Sequence, residues 1–176
     1  RHFRRLREEL GMRYVRCHGI FNDQLEAVAP DGSFHFEKPL TVLERILDNG
    51  QIPFLELSGM PGALARTEES VCHYRFRSAP PRDWRRWEEL VEQFLHVLIE
   101  RFGREELCRW YFEVWNEPEI SFGGELPGDQ LGSLQRTVSY AFSSGAIDTP
   151  LVGGVFTGFL LNERMMRLYL GNGLLD

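Results

Sequence analysis

Apolar residues recur along this chain with two different periods, and the alternation between them predicts its elements. Four short runs dense in apolar residues read as strands: "RYVRCHG" at 13–19, "IPFLELS" at 52–58, "YFEVWN" at 111–116 and "PLVGGV" at 150–155. Between them the apolar positions fall three and four apart, the spacing that lays one face of a helix along a core. Leu40, Leu43, Ile46 and Leu47 predict a helix over 39–48, ended by Asn49-Gly50. Trp87, Leu90, Val91, Phe94, Leu95, Leu98 and Phe102 predict another over 83–102, with Asp83 as its N-cap and Gly103 as its stop. Further helices are expected over about 128–145 and 161–170. At the start, Phe3, Leu6 and Leu10 form a helical stripe, and Gly11 stands where a C′ glycine belongs.

The resulting order, αβαβαβαβα, predicts an α/β fold with a parallel sheet and right-handed crossovers. A dinucleotide-binding sheet would show G-x-G-x-x-G in its first βα turn, and residues 19–24 read "GIFNDQ". "GGVFTG" at 153–158 has the outer glycines of a P-loop without the Lys-Ser/Thr that must follow. The polar residues cluster instead just past each strand's C-terminal end: His18 with Asn22 and Asp23, Ser58, Asn116 with Glu117, and Thr157. That placement is the mark of a (β/α)8 barrel of the TIM type, whose site is built from the βα loops. The chain opens on a helix without its strand and closes after a helix where a strand is due. The expectation is one domain over 1–176 holding about four central βα units of such a barrel, without the first strand and the last units. Residues 59–82 read as a long loop.

Composition narrows the function. A chain of 176 residues that is 43% hydrophobic can bury a core and fold as a soluble domain. A net charge of −6 argues against nucleic acid, which needs a basic face. The 19 arginines, beside the single Lys38, are scattered among acids. No run reaches the ~20 apolar residues of a membrane helix, and no signal peptide is visible. The compartment stays open between bacterial cytoplasm and export. Cys17, Cys72 and Cys108 lie far apart with no C-x-x-C, so they read as free thiols, and neither a metal nor a cofactor is expected.

The stretch "WYFEVWNEPE" at 110–119 carries the chemistry. Pro118 forces the residue before it out of the helical region and cannot donate to the ladder. The strand must therefore stop with Glu117 held at the rim where a barrel binds substrate. In a regular strand Asn116 and Glu117 face opposite ways, so both reach one site only if the strand bends or bulges. Tyr111, Phe112 and Trp115 are expected to supply the apolar surroundings that raise a carboxyl pKa for acid catalysis. Asn116 is a neutral donor and acceptor suited to a sugar hydroxyl.

"YFEVWNEPE" resembles the fourth-strand signature of the retaining glycoside hydrolases of clan A, and the likeness extends to glycoside hydrolase family 39, the β-xylosidases and α-L-iduronidases. "RYVRCHGIFND" is similar to that family's second strand and loop, and "IPFLELSGMP" to its third strand with a Met-Pro turn. "PPRDWRRWEELVEQFLHVLIERFG" is similar to the helix before the fourth strand, and "LVGGVFTG" to the fifth. The resemblance implies Glu117 as general acid/base, Asn116 at the sugar hydroxyl beside the scissile carbon and His18 in the glycone subsite. It places Asp23 among the substrate-binding residues, with a part in ordering the loop after the second strand.

Retaining hydrolysis needs a second carboxylate about 5–5.5 Å from the first, and by the resemblance it stands at the seventh strand, outside this chain. Glu56 is expected to be buried and paired inside the barrel. Glu113, by parity, is expected on the face of Trp115. The implied substrate is a small glycoside, most readily a β-xyloside, because no strand end shows the Lys or Arg a uronate would want. The alternative is a non-catalytic half-barrel that binds carbohydrate, or self-associates through its open sheet edges.

Overall fold

The computed structural model describes residues 2–68, 70–71, 76–116 and 151–152. Helix α1 (His2–Leu10) leads through Gly11 into β1 (Tyr14–Cys17). Helix α2 (Glu37–Asp48) starts two residues before the expected position 39, which places Pro39 in the first turn, where no intrahelical N–H is required. Strand β2 (Ile52–Glu56) follows. The stretch expected to be pure loop contains a small antiparallel hairpin, β3 (Ser70–Val71) and β4 (Phe76–Arg77). Two-residue strands carry no alternation long enough to be read from sequence.

Helix α3 (Trp84–Phe102) has its expected bounds, and the Asp83 side chain accepts the Arg85 N–H at 2.9 Å as an N-cap does. A single turn, α4 (Arg104–Leu107), then leads to β5 (Tyr111–Glu113), and β6 (Leu151–Val152) completes the described elements. The helices expected over 128–145 and 161–170 lie outside the described residues.

The four main strands form one parallel sheet in the order β1-β2-β5-β6. Their outward faces and the helices make the core. Leu55 and Phe112 are fully buried, together with Leu43 of α2 and Leu90, Phe94 and Leu98 of α3. At the C-terminal ends of the strands an aromatic group locks the loops onto α3. Phe21 and Trp115 both meet Trp87 edge-on, at 5.6 and 5.7 Å between centroids.

The inward faces are layered. Register sets Phe54 beside Tyr111, and the ring of Tyr111 touches both Phe54 and Tyr14, making an aromatic floor. Two residues further along each strand, on the same face, stand Arg16, Glu56 and Glu113. His18, Ser58 and Asn116 come next.

Candidate active site

Two carboxylates with no exposed surface, Glu56 and Glu113, share one guanidinium. Arg16 Nε and Nη2 donate to the two oxygens of Glu113 at 2.7 and 2.8 Å, the bidentate fork that suits a planar guanidinium. Nη2 also lies 2.9 Å from Glu56 Oε2 and donates to Asn116 Oδ1 at 2.9 Å. His18 Nδ1 stands 2.7 Å from Glu56 Oε2, and the Ser58 hydroxyl donates to Oε1. His18 and Asn116, two residues proposed from sequence, are thus tied to one framework through Arg16 and Glu56.

The parity expected for the opening stretch fails at its end. Glu113 and Asn116 are three residues apart, yet both reach Arg16, while Trp115 turns to Trp87 of α3 and to Phe76. The regular strand stops at Glu113. Burying the large Trp115 indole among the α3 aromatics outweighs continued alternation, so Glu113 and Trp115 do not share a face. Phe112 stacks on Trp110 outside the sheet, and Tyr111 belongs to the floor. Glu117 itself lies outside the described residues.

Asp23 belongs to a different set. Its Oδ1 accepts the Gly62 N–H at 2.8 Å, and Arg77 Nη1 stands 3.3 Å from Oδ2. Asp23 therefore ties the loop after β1 to the loop after β2 and to the hairpin. The hairpin reaches the site through Phe76, whose ring stacks on His18 at 4.8 Å and 12°. Gly19 makes this approach possible. Its φ is +72°, and a Cβ there would lie 2.9 Å from the Phe76 ring. Phe76 was not among the residues singled out from sequence, nor was Arg16, although "YVRCH" sets Arg16 and His18 on one face. A cavity of about 800 Å³ is lined by Asp23, Leu25 and His35, by Lys38 of α2 and by Gly62–Ala63, and it includes none of Arg16, His18, Glu56, Glu113 or Asn116.

Burial dominates the electrostatics of Glu56 and raises its pKa from an ordinary 4.5, against the lowering pull of His18 and Arg16. A carboxyl with a raised folded-state pKa binds more protons folded than unfolded. Its contribution is fully present below about pH 4.5 and is lost as pH rises through the folded value. The Glu56→Gln variant lacks this dependence. Urea midpoints measured from pH 4 to 8 should show wild type losing stability relative to the variant as pH rises through that window. The opposite slope would mean that Arg16 and His18 outweigh desolvation. Burial and the Glu56 charge likewise push the Cys17 thiol up to about 12, so it is an inert group. Cys72 lies outside the described residues.

Among the described residues no cluster of His, Cys, Asp or Glu could hold a metal, and no helix is long and apolar enough to cross a membrane.

The family profile described as Glycosyl hydrolases family 39 matches residues 1–122. The chain belongs to this family. A "Beta-xylosidase" of Caldicellulosiruptor saccharolyticus is 40% identical over 121 residues, 66% of this chain and 25% of that protein. The Geobacillus stearothermophilus "Beta-xylosidase" is 35% identical over 126 residues, 68% of this chain and 25% of that protein. The solved family 39 beta-xylosidase of Caulobacter crescentus superposes with a TM-score of 0.84 at 27% identity, covering 97% of this chain and 39% of that one. The chain thus spans about a quarter of the curated relatives' length, and its parallel sheet with outer helices is part of a family 39 TIM barrel.

Proposed function

We propose that the natural protein carrying this segment is a retaining glycoside hydrolase acting on small β-xylosides. Glu117 is its general acid/base, and the nucleophile lies on a later strand outside the 176 residues. The observation that supports this best is Asn116, the residue before Glu117. Its side-chain oxygen is held by Arg16, which is itself clamped by Glu113. An amide whose oxygen is occupied in this way offers its NH2 group as a fixed donor to a sugar hydroxyl. His18, braced by Glu56 and Phe76, contributes a second polar contact to the glycone. Asp23 orders the loop and is given no sugar contact.

The charges favour a neutral sugar. Arg16 is neutralised by two carboxylates and Arg77 by Asp23, so neither offers a charge to a uronate. Among the described residues, these two guanidiniums are committed to carboxylates within the protein. Proton NMR of the full-length protein acting on nitrophenyl β-xyloside tests the reading. Hydrolysis should release β-xylose first, with mutarotation to the α anomer following. First release of the α anomer, or turnover of an iduronide with none of the xyloside, would overturn it.

A further inference from the structure

Three groups converge on Glu56: the Arg16 guanidinium as an ion-pair partner, whose Nη2 donates to Glu113 and Asn116, the Ser58 hydroxyl and His18 Nδ1. The guanidinium brings a fixed positive charge, and the Ser58 hydroxyl lies against Oε1 as a donor to an ionised carboxylate. Such a reception suits an ionised carboxylate. With Glu56 ionised the carboxylate can only accept, and the 2.7 Å contact then puts the proton on Nδ1. Stacking on Phe76 fixes the plane of the ring, and the bond to Glu56 fixes which edge of that plane faces the carboxylate. Gly19, directly after His18, gives Phe76 the room to sit there.

We propose that Glu56 is a positioning residue for the sugar site. It fixes the Nδ1–H tautomer and the orientation of His18, so that Nε2 serves as an acceptor for a sugar hydroxyl. This rests on the glycosidase reading above, and it explains why a carboxylate is kept in a fully buried position on β2 where an apolar side chain would pack at less cost. Glu56 itself touches no substrate. It acts through His18, while Arg16 and Glu113 complete the charge balance around it.

Long-range proton–nitrogen spectra of the histidine-labelled full-length protein at neutral pH read the tautomer directly, with His18→Asn assigning the signal. Wild type should show Nδ1–H. In Glu56→Leu the acceptor is gone, the signal should move to Nε2–H, and KM for the xyloside should rise about tenfold, more than kcat falls. Glu56→Gln keeps an acceptor oxygen and should hold both the tautomer and KM close to wild type.

A wild-type His18 protonated on Nε2 alone overturns the proposal, and this holds even if Glu56→Leu does not fold. So does a tautomer unchanged in Glu56→Leu, or a moved tautomer with unchanged kinetic constants. If wild type cleaves no glycoside at all, the glycosidase reading is lost, and the spectra still decide whether Glu56 sets His18.

Discussion

Glu117→Gln should lower kcat/KM on a xyloside with a poor leaving group by about 10² to 10⁴, the usual range for removing a general acid/base. The two half-reactions respond differently. Forming the glycosyl-enzyme needs a proton for an alkoxide-like leaving group, whereas a nitrophenolate departs with little help. Deglycosylation then needs a base to activate water. On the nitrophenyl glycoside the first step should therefore survive better than the second, giving a burst followed by slow turnover. Azide, an anion that needs no base, should restore the second step and leave a glycosyl azide as product. An equal loss on both substrates with no azide effect would remove Glu117 from this role.

The second large effect belongs to the charge framework. Arg16→Met leaves Glu56 and Glu113, both without exposed surface, facing one another with no guanidinium between them. Removing one partner of a buried ion pair costs about 3–5 kcal/mol. The Arg16 side chain keeps 32% of its surface exposed, which argues for the lower end, about 3 kcal/mol. Urea unfolding of the full-length protein measures this as a fall in midpoint at constant slope. The double variant Arg16→Met with Glu113→Leu should recover more than half of the loss, because it removes one of the two stranded charges and leaves Glu56 with His18 and Ser58. If the double variant is no better than the single, the penalty comes from lost packing or from Asn116 and not from the unpaired carboxylate.

The strands and their parallel order were legible because their apolar runs are separated by long amphipathic helices, and a crossover of that length leaves little other topology. Helix α3 was legible to its ends, since Asp83 and Gly103 mark both. Glu117-Pro118 predicted a strand running to 116, whereas the regular strand stops at Glu113. What could not be read is non-local. Arg16 and Glu113 are 97 residues apart, and nothing in either neighbourhood names the other. The parity break between Glu113 and Asn116 comes from the pull of Trp87 on Trp115, a tertiary contact that overrides strand alternation. Phe76 hid in a stretch whose strands are two residues long. Asp23 was expected among the substrate-binding residues with a part in ordering its loop, and the structure shows it fastening that loop to Gly62.

The separation between Arg16 and Glu113 also bears on how the protein is made. A ribosome releases Arg16, His18 and Glu56 well before Glu113, with 57 residues between Glu56 and Glu113. At ordinary elongation rates of about 5–20 residues per second that interval lasts roughly 3–11 s. Throughout it, Glu56 has one guanidinium to itself, but neither β5 nor Asn116 exists to close the sheet over the pair. The nascent chain must therefore hold its future catalytic floor open to water, exposing the β2 edge to any neighbouring strand. Slowing translation over 57–113 should lengthen the time this edge is available to chaperones, and to aggregation, without altering a single contact of the finished site.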